Sequence, residues 1–284
     1  MMKTCFYLLS FLILLLHPAG TFAQKIFDIH LHGDADASQQ LMKLKAAGVY
    51  KTAVSTSWKL QQSYQSTADL TILQGLMLAC PDGKVPYSKQ SCFEHGNDFP
   101  DVKWVEELIR KNKIDFIGEV LNQYYGISSS AKELYPFYAL AEKYSLPVGI
   151  HTGLAGPGHG SPEFRVSLGN PLLMEDLLLK FPKLKVWIMH SGAPYLEGTM
   201  AVMKYYRNVY ADISAISNPH IFPPAEFRSL MKRLVDAGFE DRLMFGSDNG
   251  DINEIIKNFH ALEFLSPQQK EKILFKNAEI LFAK

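Results

Sequence analysis

The sequence predicts a single α/β domain, a closed (β/α)8 barrel of the TIM type with a metal site at the C-terminal rim of its strands. Three observations carry this. Eight short apolar runs alternate with helix-like segments along a chain of 284 residues, the pattern of a parallel sheet covered by helices. Five of those runs end on a histidine or carboxylate that could ligate a metal or carry a proton: Asp28-Ile29-His30-Leu31-His32, Glu119, His151, His190 and Asp248. Counted from Asp28, these candidates are separated by 91, 32, 39 and 58 residues. At about 30 to 40 residues per strand-helix unit the steps are three units, one, one and two, which places the candidates on strands 1, 4, 5, 6 and 8. In an open doubly wound sheet, the alternative, such strand ends would lie along a line. A barrel brings them to one rim.

The chain opens with a segment that does not read as part of the barrel. Lys3 precedes the apolar run Phe6 to Leu16, and Thr21-Phe22-Ala23 resembles a small-residue cleavage site, the pattern of a secretory signal peptide. The run is shorter than the roughly 18 residues a spanning helix needs, and Cys5 precedes it instead of sitting at a cleavage point. Residues 1–23 are therefore expected to be a signal peptide and residues 24–284 the barrel, exported to the periplasm or the extracellular space. Cys80 and Cys92 then remain in the mature chain, flanking a loop rich in Pro, Gly and Lys. In an oxidising compartment a disulfide between them is the reading; two unpaired thiols are the alternative.

The elements follow in order. Lys25 to His32 is the first strand, and Ala37 to Ala47 a helix with Leu41, Leu44 and Lys45 at helical spacing, stopped by Gly48. Val49 to Thr56 is the second strand. A polar stretch without a clear pattern precedes the third, Leu73 to Ala79, and Pro81 to Pro100 forms a long loop of the kind that often carries function. Asp101 is an N-cap candidate for a helix whose apolar stripe is Trp104, Val105, Leu108 and Ile109. Ile114 to Val120 is the fourth strand and Ala131 to Tyr144 the next helix. Leu146 to His151 is the fifth strand, running into the glycine-dense loop Thr152 to Asn170. Pro171 to Phe181 begins with proline at a first-turn position. Strands follow at Leu184 to His190, Asn208 to Ile213 and Arg242 to Phe245, with helices at Leu196 to Tyr206, Pro224 to Ala237 and Ile252 to Leu262. Ser266-Pro267 starts a closing helix that runs to Phe282.

The chemistry comes from the strand ends. Side chains two apart on a strand share a face, so His30 and His32 can close on one ion. Neutral imidazoles and carboxylates suit zinc first, with manganese and iron as alternatives. His30, His32 and His151 offer nitrogen, and Asp248 a carboxylate that can both touch the metal and accept a proton from bound water. His190 is placed to orient substrate or move a proton. Asp28 lies on the same face but deeper, the position of a hydrogen-bonding support, not a ligand. Glu119 reads as a metal neighbour or as a carboxylate paired at the rim, since a charge ending an apolar strand is costly to bury alone. Arg165, in the loop after strand 5, is the candidate substrate clamp, bidentate to a carboxylate or phosphate. His159, His220, Trp58, Tyr124 and Tyr125 are further rim candidates.

Together, Asp28-x-His30-x-His32, the histidines ending strands 5 and 6, Ser191-Gly192, Gly246-Ser247-Asp248 and the late Asn277-Ala278 resemble the metal-dependent amidohydrolase superfamily. The nearest branch is the amidohydrolase-2 group, which includes aminocarboxymuconate-semialdehyde decarboxylase. The resemblance implies a distorted barrel with one or two metal ions. His30, His32, His151 and Asp248 match its ligands, and His190 matches the catalytic histidine of one-metal members or a ligand of a second ion. Glu119 departs from the one-metal pattern and is similar to the bridging glutamate of TatD-type members, which leaves the ion count open.

A hydrolase activating water against the carbonyl of a small amide, lactone or ester is the first functional reading. A non-oxidative decarboxylase of the same barrel is the second, and it fits an exported chain less well. A TatD-like phosphodiesterase or nuclease and a non-catalytic binding barrel follow. Lys plus Arg number 29 and Asp plus Glu 29, so no basic excess supports nucleic-acid binding. The expected partner is a small-molecule substrate, with no nucleic acid and no stable membrane insertion once the signal is removed. Homo-oligomerisation stays open.

Overall fold

The computed structural model describes residues 25–154 and 161–283; the leader expected at residues 1–23 and His159 lie outside them. Eight strands, β1 (Ile26–Leu31), β2 (Val49–Val54), β3 (Thr71–Leu78), β4 (Phe116–Val120), β5 (Val148–Ile150), β6 (Val186–Ile188), β7 (Val209–Asp212) and β8 (Leu243–Met244), pair in parallel in chain order. The circle is completed by two backbone hydrogen bonds, from Ile29 N–H to the Phe245 carbonyl at 3.1 Å and from Asp248 N–H to the His30 carbonyl at 2.8 Å. Parallel strands covered by helices bury both faces, and β1, β4, β5, β6 and β8 are buried along their whole length. The (β/α)8 barrel is thus the fold. Among the described residues no helix is long and apolar enough to cross a membrane.

The helices start where the side chains predict. Asp101 accepts from Trp104 N–H at 2.9 Å to cap Val102–Arg110, and Ser266 with Gln269 forms a reciprocal capping box at the closing helix. That closing segment, Pro267 to Phe282, is interrupted by a π turn at Lys272–Lys276. Asn277 then donates to the carbonyls of Glu240 and Leu243, both at 2.7 Å, tying the helix to β8.

Several strands are shorter than their apolar runs, because the residues at the rim leave the ladder to build loops. β5 ends at Ile150, one residue before His151, and β6 ends at Ile188. Short helices also occupy Trp58–Gln61, in the polar stretch before β3, and Asn122–Tyr125, directly after β4.

Phe27, Ile29, Phe116, Trp187, Met189 and Met244 fill the barrel interior. Glycine makes room for them: a Cβ on Gly149 would lie 2.3 Å from the Trp187 ring. Phe282 stops the end of the barrel opposite the rim, its ring 5.4, 5.7 and 5.8 Å from those of Phe27, Trp187 and Phe116. At the rim, Cys80 and Cys92 are joined by a disulfide across a Cα–Cα distance of 6.6 Å. It closes the loop after β3 into a small hairpin, in which Val85 and Gln90 pair through a 2.9 Å backbone hydrogen bond.

Candidate metal centre

Five strand ends hand side chains to a common cavity. His30 lies in β1 and His32 just beyond it, Glu119 in β4, His151 after β5, His190 in the turn after β6 and Asp248 after β8. The last two are aimed by left-handed backbone, with φ of 57° at His190 and 46° at Asp248. Gly246 lets β8 close on β1, since a Cβ there would lie 2.8 Å from the Cβ of His30.

The six groups meet. His32 Nε2 lies 3.2 Å from Asp248 Oδ1 and 3.3 Å from Glu119 Oε2. His30 Nε2 is 3.9 Å from Asp248 Oδ1, and both His151 Nε2 and His190 Nε2 are 4.0 Å from Glu119 Oε1. Two overlapping sets have ligand atoms within 4.8 Å of one another: His30, His32 and Asp248, and His30, Glu119 and His190. His151 joins them through Glu119 and through its ring contact with His190, at a centroid distance of 5.1 Å.

The outer hydrogen bonds decide which nitrogen faces inward. His30 Nδ1 meets Asp212 Oδ2 at 3.0 Å, and His32 Nδ1 meets the Ser55 carbonyl at 2.9 Å. His151 Nδ1 meets Gln123 Oε1 at 2.9 Å, and because Gln123 Nε2 donates to the Gly153 carbonyl, that oxygen can only accept. Each Nδ1 therefore carries a hydrogen, and in the neutral ring each Nε2 presents a lone pair to the cavity, the arrangement that orients metal-ligating imidazoles. His30 Nε2 is buried and has no hydrogen-bond partner among the described residues. An ion would satisfy it, so the donor set fits a divalent metal.

The charges agree. Burial alone would push the His30 imidazole down, but the Asp212 carboxylate outweighs it, helped by Asp248 and Glu119, and the ring is pushed up to about 10. Burial likewise opposes a proton on His32, yet its hydrogen bond to Asp248 and the nearby Glu119 raise it. Burial would raise Asp248, but His32, His30 and His190 hold it below the ordinary carboxylate range. His151, desolvated and beside His190, is held well below the usual imidazole range and stays neutral. The three carboxylates thus draw positive charge into the cavity, which a divalent cation can supply in place of protons.

Asp28 supports the site and does not reach the cavity: Oδ1 accepts from the backbone of His30 at 3.2 Å and of Ser247 at 3.0 Å, and Oδ2 from the Ser247 hydroxyl at 2.6 Å. Tyr87, at the tip of the disulfide hairpin, and Tyr124 cover the cavity. Tyr87 Oη is 3.0 Å from His32 Nδ1, and the Tyr124 ring is 4.9 Å from that of His151. Other rim candidates are not brought in. Arg165 turns away, donating to the carbonyls of Pro162 and Phe164 and lying 3.8 Å from Glu163. The geometry does not place it as a clamp at the cluster. Trp58 packs on Trp104, Tyr125 bonds Asp98, and His220 is exposed.

Sequence reasoning missed Asp212, Ser214, Gln123 and Ser55. Asp212 carried the same signal as the others, a carboxylate closing an apolar run. Ser55 acts through its backbone, which no side-chain pattern reveals.

A family model described as amidohydrolase matches residues 98–284. A search of curated proteins finds no match. Among solved structures, an uncharacterized TIM-barrel protein from Bordetella bronchiseptica is similar at a TM-score of 0.64 and 18% identity, covering 90% of this chain and 98% of that one. 2,6-Dihydroxybenzoate decarboxylase from Rhizobium is similar at 0.58 and 14%, covering 91% and 98%. A probable 2-pyrone-4,6-dicarboxylic acid hydrolase from Acinetobacter baumannii is similar at 0.59 and 13%, covering 90% and 98%.

Proposed function

The chain belongs to the amidohydrolase family, and from that premise we propose that it is a metal-dependent hydrolase acting on the carbonyl of a small amide, lactone or ester. The observation that carries the metal is the buried, unpartnered His30 Nε2 facing Glu119, His190, His32 and Asp248. His30, His32, His151 and Asp248 would hold the ion, zinc first, with manganese and iron as alternatives. Glu119 would be a bridging ligand if two ions bind and a neighbour if one does. When bound, the metal supplies Lewis acidity toward the carbonyl and a water acidified toward a pKa of about 7.

The rest falls to the side chains. Asp248, held anionic by its histidine neighbours, takes the proton from the attacking water. His190, with Nε2 directed to the cavity, relays that proton from Asp248 to the leaving group. Tyr87 and Tyr124 wall the cavity and restrict water. Export is part of the proposal, supported by the leader pattern and the disulfide.

A decarboxylase is the second reading, supported by the similarity to 2,6-dihydroxybenzoate decarboxylase. The two separate on product. The purified, metal-loaded protein is expected to hydrolyse a panel of lactones, esters and amides without releasing carbon dioxide from carboxylated analogues, and the opposite outcome selects the decarboxylase. Elemental analysis is expected to give one or two ions per chain in the wild type and none in the His30→Ala, His32→Ala double variant. Unchanged metal in that variant would remove the site.

A further inference from the structure

Below the cavity lies a second, buried polar cluster that the metal reading leaves unused. Ser214, just past β7, places its hydroxyl 2.6 Å from Asp212 Oδ1, 2.8 Å from His30 Nδ1 and 3.0 Å from His190 Nδ1. Asp212 is fully buried and receives three further contacts: His190 N–H at 2.8 Å and Ser214 N–H at 3.1 Å on Oδ1, and His30 Nδ1 at 3.0 Å on Oδ2, beside the hydroxyl.

The donor count resolves the protons. An ionised carboxylate only accepts, and a serine hydroxyl has one hydrogen. The shortest of the three hydroxyl contacts is to the carboxylate, the strongest acceptor. The Ser214 hydrogen therefore goes to Asp212, leaving only lone pairs for the two imidazoles. Both His30 and His190 must then carry hydrogen on Nδ1. In their neutral forms both present Nε2 as a lone pair to the cavity.

We infer that Ser214 is a positioning residue that, with its hydrogen donated to Asp212, sets the tautomer of His190 and locks it to that of His30. One hydroxyl thus aligns a ligand of the proposed metal and the proposed proton carrier, whose rings lie 4.9 Å apart between centroids. The assignment is the same whether His190 Nε2 meets substrate or a second ion. It rests on the metal-site reading, not on whether the reaction is hydrolysis.

The test reads the tautomer directly. Multiple-bond proton–nitrogen spectra of the zinc-loaded full chain, with histidine labelled with nitrogen-15, distinguish a protonated Nδ1 from a protonated Nε2; the His190 signal is assigned by its loss in His190→Asn. The wild type is expected to carry the hydrogen on Nδ1 of His190. Ser214→Ala, with wild-type metal content and circular dichroism, is expected to shift the ring toward Nε2–H, while Ser214→Thr restores Nδ1–H. In whichever assay the enzyme is active, kcat is expected to fall about 10- to 100-fold in Ser214→Ala, the range for outer partners of metal sites, with KM little changed. A wild-type Nε2–H tautomer, or an unchanged Nδ1–H tautomer in a folded, metal-bearing Ser214→Ala, would overturn the inference. Should Ser214→Ala not fold, the wild-type spectrum decides alone.

Discussion

At the scale of single residues, the site behaves as a set of paired donors and acceptors whose protons are accounted for. The metal-free His30 is held up to about 10 by Asp212 against its burial, so it is protonated at neutral pH. An ion at Nε2 must displace that proton. Loading the metal-free protein with zinc at pH 8 is expected to release at least one proton per chain, measured in weakly buffered solution with an indicator dye; no release would mean that His30 is not a ligand. The same raised pKa sets a stability trend. A group whose folded pKa lies above its unfolded value of 6.5 stabilises fully below that value and loses the contribution as pH rises toward about 10. The melting temperature of the metal-free protein should therefore fall between pH 7 and pH 10, and bound metal should flatten the fall. Asp248→Asn keeps the shape but removes the anion beside His32. Metal affinity and activity should each drop by well over about tenfold, read by competition with a chromophoric chelator.

At the scale of elements, the hairpin between Cys80 and Cys92 joins stability to the site. Val85 is buried beneath it while Tyr87 reaches over to His32. A cross-link closing a loop of this length contributes about 3 kcal/mol by chain entropy. The Cys80→Ser, Cys92→Ser double variant should lose that much in urea unfolding and should also raise KM as Tyr87 leaves the rim. A loss of stability with KM unchanged would show that the hairpin only braces the fold. The helix from Val102 depends on its cap, and Asp101→Ala should cost about 1 kcal/mol, measured in the same way. These elements were legible in advance because their signals are local: a cap residue, two cysteines, a proline at a first turn. The short helices Trp58–Gln61 and Asn122–Tyr125 were not, since four residues carry too little periodicity to register. β6 ends before Met189 although the apolar run continues through it, because His190 and Ser191 turn the chain through left-handed backbone.

At the scale of the molecule, the barrel separates its two ends. One carries the ionisable cluster, and the other is stopped by Phe282 against Phe27, Phe116 and Trp187. Phe282→Ala should cost about 3 kcal/mol, the lower end for a phenylalanine truncation, while metal content stays unchanged, since the stop lies at the end of the barrel away from the site. Loss of metal in that variant would mean that the two ends are coupled. By itself the sequence determined the alternation of strands and helices, the residue types at five strand ends and hence the candidate ligands, because strand periodicity and repeat length are written locally. Only the tertiary structure decided that Asp212 and Ser214 join them from β7, that Arg165 does not, and which nitrogen of each histidine faces the cavity. Those outcomes depend on hydrogen bonds between residues up to 184 positions apart, and a partner chosen across a closed barrel leaves no trace in the pattern along any one strand.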